Sequence, residues 1–198
     1  MTKVTAGITI SLDGYVTGPH DGPGRGLGDG GERLHHWVFG GPWTYQSERS
    51  SGPTGVDKQF FDAWMTNVGA VIGGHTTYWA AEAWGGQNPF GVPFFIVTHH
   101  LEDESATGGF HFVGSLGQAL EQARAAAGER GVTIMGGADV IRQALRAGVV
   151  DELAITLAPV VLGAGKALFA GFDAPLRLEP IQVMQSSLAT HVIYRVVR

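Results

Sequence analysis

The chain has 198 residues, a formal net charge of -5 and 31 glycines, roughly twice the usual glycine share of about 7%. It has no cysteine, which excludes disulfides, thiolate metal sites and a cysteine nucleophile. No apolar run approaches the ~18 residues of a membrane span, the N-terminus lacks an apolar signal core, and the acidic balance has no basic block for nucleic acid. These limits point to one cytoplasmic domain over residues 1–198 and argue against nucleic acid or a membrane as its main partner.

Residues 3–12 alternate: Val4, Ala6, Ile8, Ile10 and Leu12 share one parity, and Thr5, Gly7, Thr9 and Ser11 the other. That is a strand whose second face is small enough for something to approach its backbone. Asp13-Gly14 reads as a turn. Residues 18–55 form a long loop, with seven glycines between positions 18 and 31 and a short helical piece over 32–39. Loops of that length are usually functional, and the dense glycine reads as a flexible lid.

Residues 56–67 predict a helix with Phe60, Phe61 and Trp64 on its apolar face. Residues 70–72 predict a strand ending in Gly73-Gly74, and 75–83 a helix. Residues 94–97 and 110–113 predict buried strands. Ser115 and Gln118 fit a capping box opening a helix that Gly128 ends. Residues 132–135 predict a strand, 138–147 a helix with Val140, Ile141, Ala144 and Leu145 inward, and 152–157 another strand. The tail predicts an antiparallel pair over 176–184 and 189–197. Strands alternating with helices predict an α/β sheet, parallel in its middle.

Strand, Gly-Gly, helix occurs twice, at Ile72-Gly-Gly-His-Thr76 and Met135-Gly-Gly-Ala138. Helix N-termini at strand ends offer free N–H groups to phosphates, so the two turns could grip a pyrophosphate. Alternatively both are tight turns that need glycine. Gly26-Leu-Gly-Asp-Gly-Gly31 matches a dinucleotide fingerprint by letter, but no strand leads into it. Gly163-Ala-Gly-Lys166 lacks the first glycine and the Ser/Thr of a phosphate loop. The eight histidines have no metal spacing. His99 and His100 follow a strand end, as phosphate partners or as solvated loop residues. Asp57 opens a helix, favouring its dipole or facing a pocket as a proton relay. Asp13 is a turn former or a cleft residue.

Several stretches together carry a resemblance: Ile10-Ser-Leu-Asp-Gly14, Leu27-Gly-Asp-Gly-Gly-Glu-Arg-Leu-His35, Asn88-Pro-Phe90 and Pro93-Phe-Phe-Ile-Val-Thr-His99. They continue with Gly136-Gly-Ala-Asp139, Ala147-Gly-Val-Val-Asp-Glu-Leu153, Ala158-Pro-Val-Val-Leu-Gly163 and Tyr194-Arg195. In this order they resemble the dihydrofolate reductase-like family that contains the reductase domain of bacterial riboflavin biosynthesis. The resemblance implies a central, mostly parallel eight-stranded sheet flanked by helices and closed by a C-terminal antiparallel hairpin. It also implies an NADPH-linked reductase, commonly a homodimer.

Carried over residue by residue, it puts Gly136, Gly137 and Ala138 at one phosphate turn, with Val140 and Ile141 lining the cofactor behind it. Gly73, His75 and Thr76 match the other turn, and Thr98, His99 and His100 the strand end beyond. Ile10, Ser11 and Gly14 would lie by the nicotinamide. Gly74 and His100 stand where arginines are usual, which leaves NADH possible beside NADPH. Asp57 and Phe61 resemble the substrate carboxylate and its aromatic partner in dihydrofolate reductases, and Trp37 joins Phe61 as a substrate contact. The expected activity is reduction of a small heterocyclic or carbonyl substrate, with Asp57 and Asp13 as candidate catalytic carboxylates and no metal. The competing reading is a nucleotide- or flavin-binding module without turnover.

Overall fold

The structure, a computed structural model, describes residues 2–47, 52–101 and 107–198. In chain order the elements are β1 (Val4–Ile10), β2 (Tyr15–Thr17), α1 (Gly55–Met65), β3 (Val68–Gly74), α2 (His75–Ala80), β4 (Phe94–Val97) and β5 (Phe110–Val113). They continue with α3 (Leu116–Ala127), β6 (Gly131–Ile134), α4 (Ala138–Arg146), β7 (Glu152–Leu157), β8 (Lys166–Ala167), β9 (Leu178–Gln185) and β10 (Thr190–Val196).

Eight strands form one sheet in the order β5-β4-β3-β6-β1-β7-β10-β9. Every pair from β5 to β7 is parallel, and β10 and β9 close the sheet antiparallel. This is the dihydrofolate reductase-like α/β architecture that the family resemblance implies. Helices α3 and α4 cover one face: Val4, Ala6 and Ile10 of β1 share a core with Ala119, Ala123 and Ile141. The other face of β1 is the small one. There the Trp64 indole of α1 lies against Gly7, where an added Cβ would come within 3.1 Å of the ring.

Four local expectations are corrected. The first strand stops at Ile10, because Ser11 N–H donates to Tyr15 O (2.9 Å) and Gly14 N–H to Ser11 O (3.0 Å), closing a turn. Leu12 therefore leaves the inward parity and is 62% exposed. Gly73 and Gly74 are not a turn but the end of β3, paired with Ile96 and Val97 of β4. Their glycine is explained by packing: a Cβ would lie 2.9 Å from the Phe94 ring at Gly73 and 3.0 Å from Val140 Cγ2 at Gly74. The helix predicted to residue 83 ends at Ala80, since Glu82, Ala83 and Trp84 take left-handed φ values of 50, 51 and 49°. That bend drives Trp84 into the cluster of Phe94 and Phe110.

The glycine-rich segment 18–31 is the fourth. Its two arms bond each other through Gly18 N–H to Leu27 O and Asp29 N–H to Pro19 O, both 2.8 Å. Tyr45 Oη accepts from Leu27 N–H (3.1 Å) and donates to Gly28 O (2.8 Å). Lys166 pairs with Asp21 at 2.6 Å. Glycine is needed because the arms touch backbone to backbone; a Cβ on Gly28 would sit 2.3 Å from Gly18 O. The segment is tied across its own arms and to Tyr45 and Lys166.

Candidate functional site

One cavity of about 1070 Å³ runs along the C-terminal ends of the parallel strands, where open α/β sheets place ligands. The pinned segment closes part of its rim with Asp21, Gly24, Gly26 and Leu27.

At one end the first turn of α4 faces the first turn of α2. Gly74 N–H donates to Gly136 O (2.9 Å), and a Cβ on Gly137 would lie 2.9 Å from Thr77 Oγ1. Backbone N–H groups at the start of α4 therefore open into the cavity beside the Thr76 and Thr77 side chains. Thr98 is buried, and its Oγ1 accepts from His100 N–H (3.1 Å), which fixes the turn carrying His99 and His100. Two further cations, Arg142 and Lys166, line the cavity as well. Arg142 donates to Ala167 O (2.8 Å), and Lys166 is held by Asp21.

The other end is aromatic, with Trp37, Phe39, Trp43, Phe61 and Trp64 around a floor of β1 and β7. His35 also lines it, and burial pushes its imidazole down to about 4. Trp37 Nε1–H donates to Thr9 Oγ1 (2.9 Å). Among the described residues, two buried polar atoms have no partner: Trp43 Nε1 and Thr17 Oγ1. Both residues line this cavity, so a ligand or water has somewhere to satisfy them.

Behind the floor lies a buried chain of three groups. Asp57, 3% exposed, accepts at Oδ1 from His191 Nε2–H (2.8 Å). His191 Nδ1 bonds Thr156 Oγ1 (2.9 Å). The ring of His191 stacks on Phe60 (4.1 Å) and meets Trp37 edge-on (4.9 Å). Burial lowers its pKa, against the opposing pull of Asp57.

Of the residues singled out from sequence, His75, Thr76, Thr98, His99, His100, Gly136, Gly137, Ala138 and Val140 line the cavity with Trp37 and Phe61. Ile10, Ser11, Gly14, Gly73 and Ile141 do not. Ile10 and Ile141 are packed into the core, Ser11 Oγ accepts from Tyr15 N–H (2.9 Å), Gly14 sits in the turn, and Gly73 lies under Phe94. Asp13 is the turn former rather than a cleft residue. The Ser11 hydroxyl, then the Gly163 and Leu162 N–H groups, hold its carboxyl down at about 2. Asp57 does not reach the cavity either, because its oxygen is turned to His191. Among the described residues no group of three or more His, Asp or Glu side chains is placed to hold a metal, and no helix is long and apolar enough to cross a membrane.

Thr9, Thr156 and His191 were missed from sequence. His191 and Ile193 share one parity of the last strand, and both pack around the aromatic cluster. Asp57, Phe60 and Trp64 share one helical face. A carboxylate and a histidine on two apolar stripes were the available signals.

No curated protein matches this chain. A solved structure of a putative riboflavin biosynthesis protein from Shewanella sp. PV-4 is similar, at 23% identity, TM-score 0.71 and 100% coverage of both chains. So is a pyrimidine reductase-like protein from Corynebacterium diphtheriae, at 15% identity and TM-score 0.66, covering 100% of this chain and 92% of that one. At these identities the likeness establishes the fold. Residues 2–192 match the family model of the RibD C-terminal domain, so the chain belongs to that family, whose membership implies a reductase-type role.

Proposed function

We propose that the protein is an NADPH-dependent reductase of a small heterocyclic or carbonyl substrate. The observation that carries this is the single cavity joining a backbone N–H cradle to an aromatic compartment, in a chain of a reductase family. The residues present fit a dinucleotide. The α4 N-terminus with Thr76 and Thr77 would take the pyrophosphate, and His75, His99 and His100, which also line the cavity, would meet a further phosphate. A bound nicotinamide would supply the hydride; the chain supplies orientation and exclusion of water. The aromatic walls would hold a flat substrate over β1 and β7. Asp57 acts only through His191, so it is a positioning residue in this reading. We further read the protein as a cytoplasmic homodimer with no nucleic-acid or membrane partner, from its composition and the family resemblance.

Gly74 and His100, in place of arginines, favour a second reading, in which a nucleotide is bound without turnover. Four of the five tryptophans line the cavity, so their fluorescence reports occupancy. Titration with NADPH is expected to quench it saturably, NADH more weakly, and NADPH is expected to be oxidised with at least one pterin, flavin or pyrimidine. No saturable quenching by either nucleotide would sink the reductase reading. Saturable binding with no oxidation across that panel would establish the binding module.

A further inference from the structure

We propose that Thr9 and Thr156 form a donor–acceptor pair on the cavity floor that reads the cis-amide edge of a planar heterocycle, an adjacent ring C=O and N–H. Thr9 donates to the carbonyl and Thr156 accepts from the N–H. The proposal deepens the reductase reading in taking a heterocycle as the cavity's ligand.

The two residues are register partners in the parallel β1–β7 pair. Register partners lie about 4.8 Å apart and face the same side. Thr9 is 7% and Thr156 3% exposed, and both line the cavity. Their polarities are set from behind. Trp37 Nε1–H can only donate, so its bond to Thr9 occupies a lone pair and leaves the Thr9 O–H free. Among the described residues that hydrogen has no acceptor. On the other side a carboxylate oxygen accepts, so Asp57 fixes the hydrogen of His191 on Nε2. Burial favours the neutral ring. Its Nδ1 then carries a lone pair and takes the Thr156 O–H, which leaves Thr156 Oγ1 lone pairs for the cavity.

One hydroxyl thus presents a hydrogen and its neighbour a lone pair. A ring lactam offers the complement on one edge. The Trp37 and Trp64 indoles beside the pair suit a flat ring. This assigns the buried Asp57–His191 pair a positioning role: it fixes which way the Thr156 hydroxyl points.

The test uses two probes on the full chain without cofactor: lumazine, which carries the cis-amide edge, and 1,3-dimethyllumazine, whose ring N–H groups are methylated. Tryptophan quenching is expected to give lumazine at least about tenfold tighter binding, the worth of one buried hydrogen bond. Thr156→Val, equal in volume, is expected to bring the two probes within about twofold, and Thr156→Ser to keep the preference. Thr9→Val is expected to weaken both probes alike, because both retain their carbonyls. Circular dichroism and thermal midpoints check that each variant folds. Equal affinity of the probes for the unmodified protein, no quenching by either, or a preference that survives Thr156→Val would each overturn the proposal. The reductase reading stands or falls separately, on NADPH quenching and oxidation.

Discussion

His35 enters the wall of the aromatic compartment with an edge-on contact to Phe39 at 6.1 Å. Burial holds its imidazole at about 4, below the 6.5 of a solvated histidine. His191 is displaced in the same direction by the same cause. The consequence for stability has a definite sign. Below about 6.5 the unfolded chain takes up protons that the folded chain refuses, so stability is full above that pH and falls as pH drops toward 4. A urea unfolding series from pH 7.5 to 4.5 is expected to show the midpoint falling over this window. His35→Gln, which cannot titrate, should flatten part of that fall while leaving the pH 7.5 midpoint less affected. An unchanged slope in the variant would mean that His35 is hydrated in the folded chain. Residue-level reading could not have found this. His35 and His36 are adjacent and alike in sequence, and the edge-on packing of His35 against Phe39 shows only in the fold.

Helix α3 shows how an element is specified by few positions. Ser115 Oγ accepts from Gln118 N–H (3.2 Å), as the sequence pattern predicts. The return bond differs: Gln118 Oε1 takes Gly114 N–H (3.0 Å) rather than the N–H of Ser115 itself. The cap is therefore spread over three residues. Ser115→Ala is expected to cost about 1 kcal/mol in denaturant unfolding. A loss below a few tenths would show that the Gln118–Gly114 bond alone holds the start of the helix. The elements legible in sequence were those with local signals of this kind. The strands β4, β5 and β7 lie within their predicted limits, and α4 buries Val140, Ile141, Ala144 and Leu145 as its spacing requires. Those that escaped notice depend on distant partners. β2 and β8 have three and two residues and exist only because residues 15–17 and 166–167 meet across the fold. Likewise the Gly73-Gly74 pair looks like a turn until Phe94 and Val140 are seen packed onto it.

At the scale of the molecule, the cavity gathers residues from Gly7 to Lys166, so its walls come from elements far apart in the chain, while β5, α3, β9 and β10 contribute none. The β2–β8 pair is the tie between its covers. Lys166 of β8 holds Asp21 of the glycine-rich segment, and the carbonyl of Ala167 holds Arg142 of α4. A dinucleotide seated on the α4 N-terminus would touch both covers and should stabilise the fold as a unit. At a concentration about a hundredfold above its dissociation constant, a ligand bound only by the folded state adds about 2.7 kcal/mol. A chain of this length gains about 2–4 °C in Tm per kcal/mol. Saturating NADPH is therefore expected to raise Tm by roughly 5–10 °C. Lys166→Ala, which removes the tie to Asp21 without touching the cradle at Gly136 and Gly137, should keep most of this shift while making the 18–31 segment easier to cleave with protease. A shift below about 1 °C at that saturation would argue against nucleotide binding in this cavity. A full shift with unchanged cleavage would instead place the anchor of the cover in the Tyr45 bonds to Leu27 and Gly28.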